Sequence, residues 1–230
     1  MQPKLVIFDL DGTLVDGAHS VVDAMQFAFV SNKYPKPTNR QIMDIIGLSL
    51  PQAIIKIISN FNELSDISDS YSQDIEQSYK DYFFKARISK KNASPIYEGA
   101  LEAIDKLHVK DELLLGIATG KSRRGVDAFL DEFNLSDKFF TTYCSTECIS
   151  KPNPDMILRA IKDAGVDKQN TVMIGDTSYD MEMAKSAGIH AIGVNWGYHS
   201  QNIMLSAGAD IIVENFDQLT KHIFEYLDIK

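Results

Sequence analysis

The chain has 230 residues, 44% of them hydrophobic, enough to bury a substantial core in one large domain or two unequal ones. Its formal net charge is −9 and it carries no dense stripe of lysine or arginine, so the electrostatic footprint of a nucleic-acid or anionic-lipid binder is missing. A small anion is still acceptable, because a metal or a few local cations can reverse the field inside one cleft.

The longest apolar runs, such as LLLGIA at 113–118, fall far short of a membrane span, which takes roughly 20 residues. The amino terminus shows no basic, apolar, small-residue signal pattern, and the expected location is the cytoplasm. Cys144 and Cys148 are too few for a disulfide framework, and no second Cys or His pair lies nearby to complete a zinc site. They read as reduced thiols.

In chain order, Leu5 to Phe8 is a short apolar run of the kind that forms a buried parallel strand. From about 17 to 93 the pattern changes. HSVVDAMQFAFVSN, RQIMDII, LPQAIIKII and SDSYSQDIEQSYKDYFFKA all read helical, punctuated by Pro35, Pro37 and Pro51. Further strands are expected at Leu113 to Ala118, Phe139 to Tyr143, Thr171 to Ile174, Ile189 to Val194 and Ile211 to Val213. Apolar residues three and four apart predict helices at 98–107, 122–134, 154–164, 179–187 and 215–227. This alternation predicts an α/β fold with a doubly wound, mainly parallel sheet formed by residues 1–16 and 94–230, interrupted by an all-helical cap at 17–93.

KLVIFDLDGTLVD, residues 4–16, runs apolar residues into two carboxylates. In an extended chain Asp9 and Asp11 project to the same side, beyond the carboxyl end of a strand, where open α/β sheets bind ligands. Two close carboxylates repel unless a proton or a cation is shared between them. With oxygen donors alone the natural cation is Mg²⁺. A second strand end supplies Asp176 and, four residues on, Asp180, in TVMIGDTSYD. Two competing readings fail. An EF-hand loop needs an acidic residue where Thr13 stands and Gly at its sixth position, whereas Gly12 is fourth from Asp9; a P-loop ending at Gly120-Lys121 needs Gly at 115, which is Leu.

DLDGTLVD, the Thr of ATGK, the Lys of SKPNPD and GDTSYD resemble, in order, the four motifs of the haloacid dehalogenase superfamily, and the likeness spans the whole chain. The helical insertion just after the first motif is similar to that of small-cap members such as the phosphoglycolate phosphatase-like enzymes. The resemblance implies a Mg²⁺-dependent phosphatase that acts on a small phosphorylated metabolite through an aspartyl-phosphate. It assigns Asp9 as nucleophile and Asp11 as general acid and base. Mg²⁺ is then held by Asp9, the Asp11 carbonyl and Asp176, with Asp180 supporting the metal's waters or the lysine. Lys151 neutralises charge on the phosphoryl oxygens, and Thr119 with the Gly120 amide donates hydrogen bonds to phosphate. Lys121, Arg123 and Arg124 read as a mostly solvated helix start, and Asp16 as a turn or supporting residue.

Within that resemblance, haloacid dehalogenases have no need of the second Asp or of Mg²⁺, so DLD argues against them. Lys33, Lys36, Lys56 and Lys80 lack the apolar setting of a phosphonatase's Schiff-base lysine. A phosphomutase of the β-phosphoglucomutase type keeps all four motifs and is the alternative, ahead of a non-catalytic binding module on the same fold. IGLSLPQ at 46–52 looks like the cap loop that faces the core, and Gly47 and Ser49 are its candidate substrate contacts, with Gln52 beside them. Phosphoglycolate is the single substrate named by the likeness. Tyr34, Tyr71, Tyr79, Phe83 and Phe84 fit a cap core or a dimer contact, so the chain is expected as monomer or homodimer.

Overall fold

The computed structural model describes residues 2–61, 69–88 and 94–230. Six strands, β1 (Lys4–Phe8), β2 (Leu113–Thr119), β3 (Thr141–Cys144), β4 (Thr171–Gly175), β5 (His190–Val194) and β6 (Ile211–Val213), form one sheet in the order β3-β2-β1-β4-β5-β6. Every neighbouring pair is parallel. This is a doubly wound α/β fold.

Parallel strands are covered on both faces, which is why they read as continuous apolar runs instead of alternating ones. In β1, Val6 and Phe8 enter one core cluster, with residues of α5 (Ala100–His108), α6 (Arg123–Phe133) and α10 (Phe216–Tyr226). Leu5 and Ile7 enter the other, with residues of α7 (Asp155–Ala164), α8 (Ser178–Ala187) and α9 (Gln201–Ser206). All four of these β1 side chains are fully buried, and each contributes about 1.5–3 kcal/mol of transfer free energy.

Two expectations shift. The third strand begins at Thr141, where its ladder with Gly116 starts; Phe139 lies ahead of it, buried edge-on against Phe8 at 6.5 Å between ring centroids. α9 stands where no element was expected, because its six residues are too short to show a helical period.

Between β1 and α5 run α1 (Ala18–Ser31), α2 (Asn39–Met43), α3 (Leu50–Ser59) and α4 (Asp69–Ile88). Their inward residues, among them Met25, Phe29, Ile42, Ile54, Ile57 and Ile75, form a third apolar cluster separate from the two that clasp the sheet. Tyr34 and Tyr79 pack against it, Phe83 contacts Tyr79, and Phe84 is half exposed beneath the Arg124 guanidinium. The side chain of Tyr71 lies outside the described residues, as do 62–68 and 89–93 of the expected cap. The chain departs from the sheet and returns to it side by side: Asp16 N–H donates to the Pro95 carbonyl at 2.8 Å, and Tyr97 N–H donates to the Leu14 carbonyl at 2.9 Å. No helix among the described residues is long and apolar enough to cross a membrane.

Candidate active site

In a doubly wound sheet the crevice opens where strand order reverses, past the carboxyl ends of the strands. Here that point lies between β1 and β4, and Asp9 and Asp176 are the residues that directly follow them. Thr119 ends β2 on the other flank of β1. The register Phe8–Ile117 and Phe8–Ile174 brings Thr119 and Asp176 level with each other, one residue beyond Asp9.

Lys151, from the turn ahead of α7, closes the group. Its side chain is wholly buried, with Nζ 2.6 Å from Asp180 Oδ1 and 3.0 Å from Asp9 Oδ1. The contact to Asp9 is an ion pair that is poorly aligned as a hydrogen bond, so neither Asp9 oxygen has an aligned donor. Burial works against the charge on Lys151, but Asp180 and Asp9 outweigh it and raise its pKa. Burial pushes Asp9 up to about 6 despite Lys151, with Asp180 adding to the rise. Asp176 is raised well above the usual carboxylate range by burial, Asp180 and Asp9. Both groups are therefore poised to take either a proton or a cation.

Carboxylate oxygens of Asp9, Asp176 and Asp180 all lie within 4.8 Å of one another. Asp180 is already engaged: Oδ1 takes the lysine, and Oδ2 accepts from the Thr177 backbone N–H at 3.1 Å and hydroxyl at 2.7 Å. Asp176 is held from behind, accepting the Thr13 hydroxyl at 3.1 Å and the Tyr198 N–H at 2.9 Å. A hard divalent cation fits what remains, the unaligned Asp9 oxygens beside an oriented Asp176 carboxylate, since every donor is oxygen. The close quarters require glycine. A Cβ on Gly12, whose φ is +83°, would stand 2.1 Å from Asp176 Oδ2.

Asp11 does not share this group through its carboxylate. The strand ends at Phe8 and the chain turns at Gly12, so alternation along the strand does not extend to Asp11. Its Oδ1 instead lies 2.8 Å from Lys121 Nζ. Lys121, expected among solvated residues, is thus a partner of a motif carboxylate. Arg123 is committed to Glu147 and to the Thr142 carbonyl, and Asp16 caps its own turn through Ala18 N–H.

Thr119 is 1% exposed, and the backbone of Gly120 meets the loop between α2 and α3: a Cβ there would lie 2.5 Å from the Gly47 carbonyl and 2.7 Å from that of Leu48. Gly47 has φ +101°, and Ser49 N–H donates to Ser150 Oγ at 2.9 Å. The loop lies against Gly120 and against Ser150, the residue before Lys151. Sequence reasoning missed Thr13 and Tyr198 as supports of Asp176. Thr13 belongs to the DLDGT run and was within reach of the motif; Tyr198 had no signal, being placed by a tertiary approach.

Residues 6–194 match the sequence profile described as Haloacid dehalogenase-like hydrolase. The chain belongs to that family. Probable phosphatase IndB of Dickeya dadantii (strain 3937) is 32% identical to this haloacid dehalogenase-like hydrolase over 221 residues, covering 95% of this chain and 92% of that protein. A phosphoglycolate phosphatase of Agrobacterium fabrum is 29% identical over 224 residues, covering 97% and 93%. A hydrolase from Pseudomonas syringae has the same fold, with a TM-score of 0.84 at 24% identity over 96% of this chain and 98% of its own. This haloacid dehalogenase-like hydrolase is a phosphatase, a phosphoric monoester hydrolase.

Proposed function

We propose that the enzyme is a Mg²⁺-dependent phosphatase of a small phosphate monoester, phosphoglycolate or a close relative, acting through an aspartyl-phosphate at Asp9. The observation that carries this is the state of Asp9: buried at the end of β1, beside Lys151, with no aligned donor on either oxygen. A carboxylate so placed is free to attack.

In this reading Asp9 displaces the leaving alcohol from phosphorus, and the acyl phosphate it forms is then hydrolysed, so one hard displacement becomes two easier ones. Asp11 gives a proton to the departing oxygen and later takes one from the attacking water. Lys151 neutralises charge spread over the phosphoryl oxygens, and Asp180 fixes its ammonium at 2.6 Å. Thr119 and the Gly120 amide donate to phosphate, while Gly47 and Ser49 face the leaving group. The Asp9 and Asp176 carboxylates with the Asp11 carbonyl would hold Mg²⁺, which when bound supplies Lewis-acid neutralisation of the phosphoryl oxygens. Residues 1–16 and 94–230 act as the catalytic core and 17–93 as a cap that shapes access to it.

Support for phosphoglycolate comes from the Agrobacterium fabrum relative named for that activity. The test is phosphate release from a panel of small esters, with and without Mg²⁺, by the wild type and Asp9→Asn. Metal-dependent turnover that vanishes in the variant, with phosphoglycolate fastest, is expected. Full activity in Asp9→Asn would dismiss the covalent route, and a faster unrelated ester would replace the substrate.

A further inference from the structure

Tyr179 stands inside GDTSYD, between the capping Thr177 and Asp180, and none of the motif roles above uses it. Its neighbour Asp180 faces Lys151; its own side chain faces the helical segment. The Tyr179 hydroxyl donates to the Asp44 carbonyl at 2.8 Å and accepts from Lys56 Nζ at 2.7 Å.

Those two partners bracket one short segment. Asp44 caps the end of α2, and Lys56 lies on α3, which begins at Leu50. Between Asp44 and the start of α3 run Ile45, Ile46, Gly47, Leu48 and Ser49. Ile45 is anchored in the helical cluster, Leu48 packs against it, and Ile46 is buried beside them in sequence. Gly47 and Leu48 turn their carbonyls toward Gly120, and Ser49 N–H reaches Ser150, the residue before Lys151. The Tyr179 ring itself lies beneath Gly47, 3.5 Å from where a Cβ would stand, and edge-on to His199 at 5.7 Å. The side chain is 8% exposed, so the hydroxyl has exchanged water for these two partners.

A hydroxyl that both gives and accepts fixes a distance at each end. The helix that carries Asp180, and through it Lys151, is thereby tied to the segment that packs on Gly120, the residue after Thr119. We propose that Tyr179 is a positioning residue that sets the height of the 44–49 segment over the phosphoryl site and so decides which leaving groups fit beneath it. This rests on the reading of Thr119, Gly120 and the segment as the substrate's surroundings. Discrimination then depends on the Tyr179–Lys56–Asp44 junction as well as on direct contact with the ester. Loss of the junction lowers the fraction of enzyme with the segment seated, and apparent affinity falls by that fraction.

Tyr179→Phe retains the ring contacts with Gly47 and His199 and removes only the hydroxyl. Lys56→Met removes the ammonium from the other side of the junction and leaves α8 untouched. The experiment measures kcat and KM of both variants and the double variant on the fastest ester of the panel and on p-nitrophenyl phosphate. For the fastest ester, KM is expected to rise about tenfold in Tyr179→Phe and by somewhat less in Lys56→Met, with kcat within about twofold. The double variant is expected to be no worse than Tyr179→Phe, since both break one junction. The preference for the fastest ester over p-nitrophenyl phosphate narrows in all three. Unchanged KM and unchanged preference in Tyr179→Phe overturn the inference, as does an equal loss on both esters, which marks a merely structural residue. If the wild type turns over no ester, the functional reading falls and this inference with it; if the wild type turns over and the variants match it, only this inference falls.

Discussion

Lys151 Nζ lies 2.6 Å from Asp180 Oδ1, and neither side chain has any exposed surface. The last motif's second carboxylate is thus spent on the lysine and not left open to a cation. The same Asp180 also accepts from Thr177 at the start of α8, so the ammonium is fixed to a helix terminus whose own geometry is set.

Removing that ammonium strands Asp9 and Asp180 in the interior. Lys151→Met is expected to lower the unfolding free energy by about 3 kcal/mol, read by denaturant titration. Phosphatase turnover should fall by about 100-fold or more. Lys151→Arg should not restore it, because a planar fork does not fit a site built for a point charge.

Asp9 gives the metal-free protein a pH dependence of definite sign. Its pKa is raised from 3.8 to about 6, so the folded state holds a proton that the unfolded chain has released. That contribution is complete below the unfolded value and is lost as pH rises through the folded one. In chelator, the melting temperature should fall from about pH 4 through pH 6, and the buried Asp176, raised for the same reason, carries the fall further with the same sign. Asp9→Asn should make the fall shallower and leave the part due to Asp176. Mg²⁺ at neutral pH should raise the wild type's melting temperature, since a ligand of the folded state stabilises by mass action.

A methyl group at Gly12 must occupy the space of the Asp176 carboxylate, in a backbone conformation that side chains resist. Gly12→Ala should cost about 2 kcal/mol of stability. It should also abolish the Mg²⁺-dependent rise in melting temperature, measured by calorimetry with and without the ion. A stable variant with an intact Mg²⁺ response would remove Asp176 from the metal's surroundings.

Gly120→Ala separates the roof from the fold. Its Cβ would meet the backbone carbonyls of Gly47 and Leu48, not a side chain that can swing away. The 44–49 segment should be pushed off Thr119, with kcat/KM on the fastest ester reduced by about tenfold or more and a melting temperature near that of the wild type. Activity equal to the wild type would show that the segment need not seat for turnover.

Much of this was legible in residue order because strands buried on both faces announce themselves as apolar runs, and three of the six runs lead into residues gathered at the crevice: Asp9, Thr119 and Asp176. Helix positions followed from three-and-four spacing, as with Val126, Phe129 and Leu130 of α6. What escaped depends on tertiary approach. The Asp11–Lys121 pair exists because β1 and β2 are neighbours and the chain bends after Phe8, neither of which periodicity conveys. Tyr179 and Tyr198 act across more than a hundred residues, on Asp44 and Gly17, through hydroxyls that spacing treats as ordinary core or surface.

The pairing of Leu14 and Asp16 with Pro95 and Tyr97 has a consequence for how such a chain can change. The ends of the intervening helical stretch are already held together by backbone hydrogen bonds of their own, an isolated antiparallel bridge just outside the sheet, as the two ends of a handle are fixed where they meet the wall. Joining ends that are already neighbours costs little more for a long excursion than for a short one, about 0.6 kcal/mol for each doubling in length. Closed in this way, the stretch is expected to tolerate lengthening or shortening as an exchangeable cassette while Asp9, Thr119 and Asp176 keep their places at the strand ends.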